Sequence, residues 1–330
     1  MKGRIGFLGL ITILGLLAFV LSFGIPGWAQ KAKPPKPPEP PTPPADPAIT
    51  FCAEKSWASA DLMVMNADGS NQTILLAGTR KPYVSNHDPS WSPDGTRLAF
   101  YSDVQGCGIY IINKDGTGLC KVVAMNESGS YGAGNPQWSP DGAYILYSDT
   151  EGPGLAEDLY LTEAVCGSAM RINLTNSPNE AEFYPAWSYD GTRLAACVGG
   201  DPLDVVVFDL AMGDGGALSA INPVNLTSSG PLEGEFCTAI DWANSSNRIA
   251  VRAANDIWVI DGDVPGHAIN LTQTPLIVER DPSWAPLDLQ IVFVCADYLY
   301  TMNPNGTGLM CIASPPKGKY LRGPDWRRNP

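Results

Sequence analysis

Trp91-Ser92-Pro93-Asp94-Gly95 returns as Trp138-Ser139-Pro140-Asp141-Gly142 and, with one change, as Trp187-Ser188-Tyr189-Asp190-Gly191. Weaker copies stand at Trp242-Ala243-Asn244-Ser245-Ser246 and Trp284-Ala285-Pro286-Leu287-Asp288. Proline precedes the motif as Pro-x-Trp at Pro89, Pro136, Pro185, Pro282 and, with a sixth Trp, at Pro324, while Ile240 takes its place in one copy. The six tryptophans are spaced by 47, 49, 55, 42 and 42 residues. Self-similarity at this period is the signature of a repeat architecture.

Outward from each Trp the copies continue alike. A short apolar run follows, as in Leu98-Ala99-Phe100 and Ile145-Leu146-Tyr147. A second follows that, as in Ile109-Tyr110-Ile111-Ile112 and Ile257-Trp258-Val259-Ile260. Next comes an Asp-Gly or Asn-Gly turn, at Asp68-Gly69, Asp115-Gly116, Asp261-Gly262 and Asn305-Gly306, and a last run often ends in Asn-Leu-Thr. Such pairs accept the positive φ of hairpin turns, so the runs read as antiparallel strands. Four strands per copy make a propeller blade. The first copy begins at Ile49-Thr50-Phe51 without a Trp strand, and the last ends four residues after its Trp. The predicted fold is therefore all-β: a six-bladed β-propeller over residues 49–330, closed by a C-terminal strand that completes the N-terminal blade. Its 282 residues give 47 per blade, and closure removes exposed sheet edges.

The Trp-Ser-Pro-Asp-Gly copies and their spacing resemble the TolB-type six-bladed β-propeller repeat family, over residues 49–330. The resemblance concerns the propeller part. Where TolB itself has an N-terminal α/β domain, a proline-rich stretch stands here. Lys2 and Arg4, an apolar run from Ile5 to Ile25 and the small residues Gly27 and Ala29 read as residues 1–29 forming a signal peptide. The run is equally long enough to be a membrane anchor over residues 5–25. Both readings export the rest to the periplasm or the cell exterior. Residues 30–48 are a Pro-rich linker, extended as polyproline II.

The net charge of −13 becomes −15 without Lys2 and Arg4, which argues against nucleic acid. It points instead to partners of basic character. Two histidines, His87 and His267, leave no basis for a His-rich metal centre or a Cys–His pair. Gly-x-Ser-x-Gly is absent, and no turn carries the ligand spacing of a calcium loop. The reading is of a non-enzymatic monomer with no cofactor and no metal. Eight cysteines in an exported chain lead to an expectation of disulfides. The pairs nearest in sequence are Cys107 with Cys120 and Cys295 with Cys311. Seven Asn-x-Ser/Thr sequons, three of them Asn-Leu-Thr, read as products of the repeat.

The innermost strand of each blade lines the channel, so residues just before each proline are placed at its mouth. They vary where the scaffold does not, which is how repeat proteins build a binding face. The candidate partner-binding residues are His87, Asp88, Asn135, Glu182, Phe183, Tyr184, Glu279, Arg280, Asp281 and Arg322. The reading that follows is a scaffold binding a protein or peptide there. The alternatives are a carbohydrate or wall-glycan module using Phe183 and Tyr184, and a lyase- or lactonase-type enzyme whose divalent metal is held by Asp88, Asp281 and Glu279.

Overall fold

The computed structural model describes residues 48–56, 59–80, 82–125, 134–150, 156–212, 218–274 and 276–328. The signal or anchor expected over residues 1–29, and the linker up to residue 47, lie outside them. The described chain is all-β apart from two single-turn 3-10 helices, Gly230–Leu232 and Pro286–Asp288. Four sheets are separate four-stranded antiparallel meanders in a propeller arrangement. They begin with the strands Gly134–Trp138, Ala181–Trp187, Cys237–Trp242 and Glu279–Trp284.

The remaining strands differ from the expected six separate blades. They form one nine-stranded sheet. In it Tyr320–Trp326 pairs with Ile49–Ser56, which pairs with Ser59–Met65. Tyr83–Trp91 leads the second part, followed by Arg97–Ser102, Gly108–Asn113 and Cys120–Ala124. The two parts are joined by a short parallel pairing, Ser59 with Val84 and Ala60 with Ser85. Asn86 fastens this join. Its amide donates to the Ala60 carbonyl at 2.9 Å and its oxygen accepts from Ser102 at 2.8 Å.

The middle strands are apolar throughout rather than alternating because both their faces are covered. Every residue from Gly108 to Ile112 is buried. The core lies between neighbouring sheets: Leu146, Leu159 and Leu161 of one pack on Leu194, Ala196 and Val206 of the next. The repeat Trp side chains add to this packing. Arg97 lies over Trp138 at 4.7 Å, Arg193 over Trp242 at 5.0 Å and Arg248 over Trp284 at 4.8 Å. Each guanidinium thus caps the indole of the following sheet, a favourable cation–π contact.

The Ser-Pro-Asp-Gly turns are structural. Ser139 Oγ donates to Asp141 Oδ1 at 2.5 Å, which also accepts from the Ala143 N–H at 3.0 Å. Ser92 with Asp94 and Ser188 with Asp190 repeat the arrangement. Gly142 follows at φ +72°, a conformation that favours glycine.

The disulfide expectation is corrected in its pairing. The Sγ atoms of Cys120 and Cys166 lie 2.06 Å apart, which joins neighbouring sheets. Cys107 and Cys120 stand at opposite ends of an antiparallel pair, since Gly108 faces Ala124 and Ile111 faces Cys120. Between Cys295 and Cys311 runs the whole strand Tyr298–Met302, which pairs with both.

Candidate functional site

Six inner strands surround one cavity: Tyr83–Trp91, Gly134–Trp138, Ala181–Trp187, Cys237–Trp242, Glu279–Trp284 and Tyr320–Trp326. Each contributes the residue preceding its proline, or Ile240 in the fourth strand. These are Asp88, Asn135, Tyr184, Ala239, Asp281 and Gly323. All six have left-handed backbones, with φ of +49°, +40°, +51°, +49°, +53° and +50°. Every one of these strands also carries a register break at this point. In five strands a proline follows, which cannot donate to the ladder and sits at bulges; the fourth keeps the same break with Ile240 in its place. Left-handed φ at five non-glycine residues stores strain of about 1–3 kcal/mol each, and strain of this kind clusters at functional sites.

Four predicted site residues therefore meet at the cavity: Asp88, Asn135, Tyr184 and Asp281. The others do not line it. His87 turns sideways, its Nδ1 3.0 Å from Glu54 Oε1 and its Nε2 2.6 Å from Ser85 Oγ. Glu182 is buried against Thr175 and Ser177, and Glu279 against Thr274 at 2.8 Å. Both glutamates serve turns that hold Asp158 and Asp256, so Glu279 does not join Asp88 and Asp281 as a third metal ligand. Phe183 packs on the core, and its ring is tilted 50° from that of Tyr184, so the two do not form a flat platform. Arg280 and Arg322 flank the cavity's rim beside Asp281, and their charges act on its carboxyl.

Sequence reading missed a second layer. The middle residue of Pro-x-Trp also faces the cavity, as Gln137, Asp241, Ser283 and Asp325. The signal was present: x varies between a constant proline and a constant tryptophan. Here the side chains tie the strands together. Asp325 accepts from the Trp91 N–H and Asp241 from the Trp284 N–H, each at 2.7 Å. Ser283 Oγ donates to Asp325 at 3.3 Å, and Arg328 lies 3.7 Å from Asp241.

Burial in one confined space raises the four carboxyl groups, and repulsion by neighbouring carboxylates adds to it. Burial, opposed by His87 and reinforced by Asp281 and Glu54, pushes Asp88 up to about 6. Burial and then Asp241 push Asp325 up to about 7. Burial also raises Asp241 and Asp281. The cavity walls can therefore take up protons near neutrality.

Ser85, His87 and Glu54 stand in the order of a hydrolase relay, which the sequence reading did not find. The chemistry needs more than that order: a substrate cleft and donors for an oxyanion. Ser85 is buried at 4% exposure, and the cavity is not lined by it. Its Oγ ties His87 to the join between Ala60 and Ser85 instead.

A family model for the TolB beta propeller domain matches residues 46–307. The chain belongs to this TolB β-propeller family. Among solved structures, TolB from Acinetobacter baumannii superposes with a TM-score of 0.63 at 18% identity, over 87% of this chain and 68% of that one. A putative TolB from Agrobacterium tumefaciens gives 0.58 at 18% identity, over 84% and 98%. A chain of the nidogen/laminin complex gives 0.60 at 12% identity, over 85% and 98%. At these identities the likeness is one of fold. No curated protein sequence matches the chain.

Proposed function

We propose that this protein is an exported, non-enzymatic scaffold that binds a protein or peptide at the mouth of the channel. In this reading the nine-stranded sheet counts as two blades, giving six in a ring that Tyr320–Trp326 closes on Ile49–Ser56. The observation that carries the binding role is the set of six left-handed positions around one cavity, with φ between +40° and +53° and five residue types. Constant backbone with variable side chains is a recognition surface built on a fixed frame. The cavity's size agrees. It holds about 80 Å³, well below the roughly 300–1,000 Å³ of small-molecule sites. A surface that is read from outside suits a partner's protruding segment. Membership of the TolB family, and likeness to a propeller crystallised as part of a protein complex, support the same reading.

The test is capture from the native envelope fraction with the full chain, beside the Asp88→Asn/Tyr184→Ala variant. One protein held by the wild type, lost with the variant and unaffected by EDTA is the expected result. Retention by the variant would place binding elsewhere. Loss on adding EDTA would favour a metal-dependent site.

A further inference from the structure

Three arginines stand near one another beside the cavity-lining residues Asp281 and Gly323. Arg280 and Arg322 lie on adjacent inner strands, and Arg252 extends from the neighbouring strand Arg248–Ala253. Arg252 is tied down by Thr238 and Asn255, both at 3.1 Å. Arg322 reaches Asp297 at 3.2 Å and lies over the Tyr320 ring at 4.8 Å. The Arg280 side chain has no hydrogen bond or ion pair among the described residues, while its backbone pairs with Val294 in the sheet. The Nε atoms of both Arg280 and Arg252 are buried with no partner. Buried polar groups are nearly always satisfied, so guanidinium donors left without a protein partner stand ready for an acceptor. Burial, then the like charge of Arg322, lowers the Arg280 pKa, and Asp281 and Asp297 offset this only in part.

Next to this cluster the surface carries apolar side chains, with the half-exposed Asp297 already paired to Arg322. Leu276 is 97% exposed, and Ile277 and Val278 follow it into the Arg280 strand. The Val278 carbonyl accepts from Ala296 N–H, which brings the exposed Tyr298 turn alongside. A partner must therefore offer an anion to the guanidinium forks and apolar side chains to the rim. Planar forks fit carboxylates bidentately. Aliphatic surface beside them suits a peptide better than an acidic sugar, whose faces carry hydroxyl groups.

We infer that Arg280, Arg252 and Arg322 form a carboxylate-binding site for an acidic peptide segment that carries apolar residues beside its Asp or Glu. This rests on the channel-mouth reading and specifies the partner's chemistry. It departs from the basic partner that net charge alone implies, because the acidic walls lie inside this cationic rim.

The test uses the full chain and three fluorescein-labelled octapeptide pools, read by anisotropy at 50 and 300 mM salt. One pool alternates Asp/Glu with Leu/Val/Phe. The second replaces the acids with Asn/Gln and the third with Lys/Arg. The acidic pool is expected to bind at least tenfold more tightly than the neutral one and to weaken with salt. Arg280→Gln is expected to remove at least tenfold of that affinity without changing the melting temperature. The comparison among pools needs no variant, so it decides even if Arg280→Gln is unstable. Equal binding of all pools, or preference for the basic one, would overturn the carboxylate site and leave peptide binding standing. No binding by any pool would overturn both.

Discussion

Asp325 occupies the variable position of Pro324-Asp325-Trp326 and binds two neighbouring strands at once, through the Trp91 N–H and Ser283 Oγ. Its carboxyl titrates at about 7, raised first by burial and then by Asp241. An unfolded Asp titrates at about 3.9. Between these values the folded chain keeps a proton that the unfolded chain has released. The group's contribution to stability is thus fully present below about pH 4 and is lost as pH rises through about 7. Asp88, at about 6, and Glu182, at about 7, act in the same direction. The melting temperature of the wild type is therefore expected to fall between pH 5 and 8. Asp325→Asn, which keeps an acceptor for Trp91 without the charge, is expected to fall less steeply. Equal slopes by calorimetry would remove Asp325 from this account. Proline spacing made Asp88, Asn135, Tyr184 and Asp281 legible in the sequence. It could not show that the bulge turns the neighbouring His87, Glu182 and Glu279 away, because that depends on which buried partners lie beside the strand.

Strands are fastened to one another by a device that recurs with Asn-Leu-Thr. In the sheet containing Leu203–Met212, Asp204 accepts from Thr227 Oγ1 at 2.7 Å and from Asn225 Nδ2 at 2.9 Å. Thr227 Oγ1 in turn accepts from the Val205 N–H at 3.0 Å. Asp158 with Asn173 and Thr175, and Asp256 with Asn270 and Thr272, make the same cage. The three Asn-Leu-Thr sequons thus have their amides engaged in turns. Asp204→Ala leaves the buried Thr227 and the half-buried Asn225 without this acceptor, a loss of about 1–3 kcal/mol. Thr227→Val, which keeps the shape and removes the hydroxyl, is expected to cost about as much, since it orphans the Val205 N–H. Urea unfolding should show a lower midpoint at constant slope. An unchanged midpoint in both variants would make the cage incidental. The sequence displayed the Asn-Leu-Thr triplets but not their aspartates, because the loops between partners differ in length and hide a constant pairing.

At the scale of the molecule, the Trp period made the all-β propeller legible, since each Trp packs under the preceding sheet and fixes the repeat. The join at Ser59–Ala60 and Val84–Ser85 was not legible. It rests on Asn86 reaching Ala60, and the corresponding position of the other copies is Ala133, Glu182, Cys237, Glu279 or Leu321, none of which is an Asn. The ends of the described chain give the sharpest test. Tyr320–Trp326 pairs with Ile49–Ser56 from Ile49 opposite Trp326 to Glu54 opposite Tyr320. Leu321 and Trp326 are buried with Phe51, Met65 and Val294. Removing residues 320–330 exposes the edge of Ile49–Ser56, takes the acceptor from the buried Trp91 N–H and unpacks two large side chains. Each side chain is worth about 1.5–3 kcal/mol of burial, against a typical stability of about 5–15 kcal/mol. An open apolar edge also templates association. The truncated chain is expected to lose its cooperative melt and to elute as aggregate. A synthetic peptide spanning residues 318–330 should restore both properties by occupying the vacant edge. A truncated chain that stays monomeric with the wild-type melting temperature would show that the pairing of the two termini does not hold the propeller together.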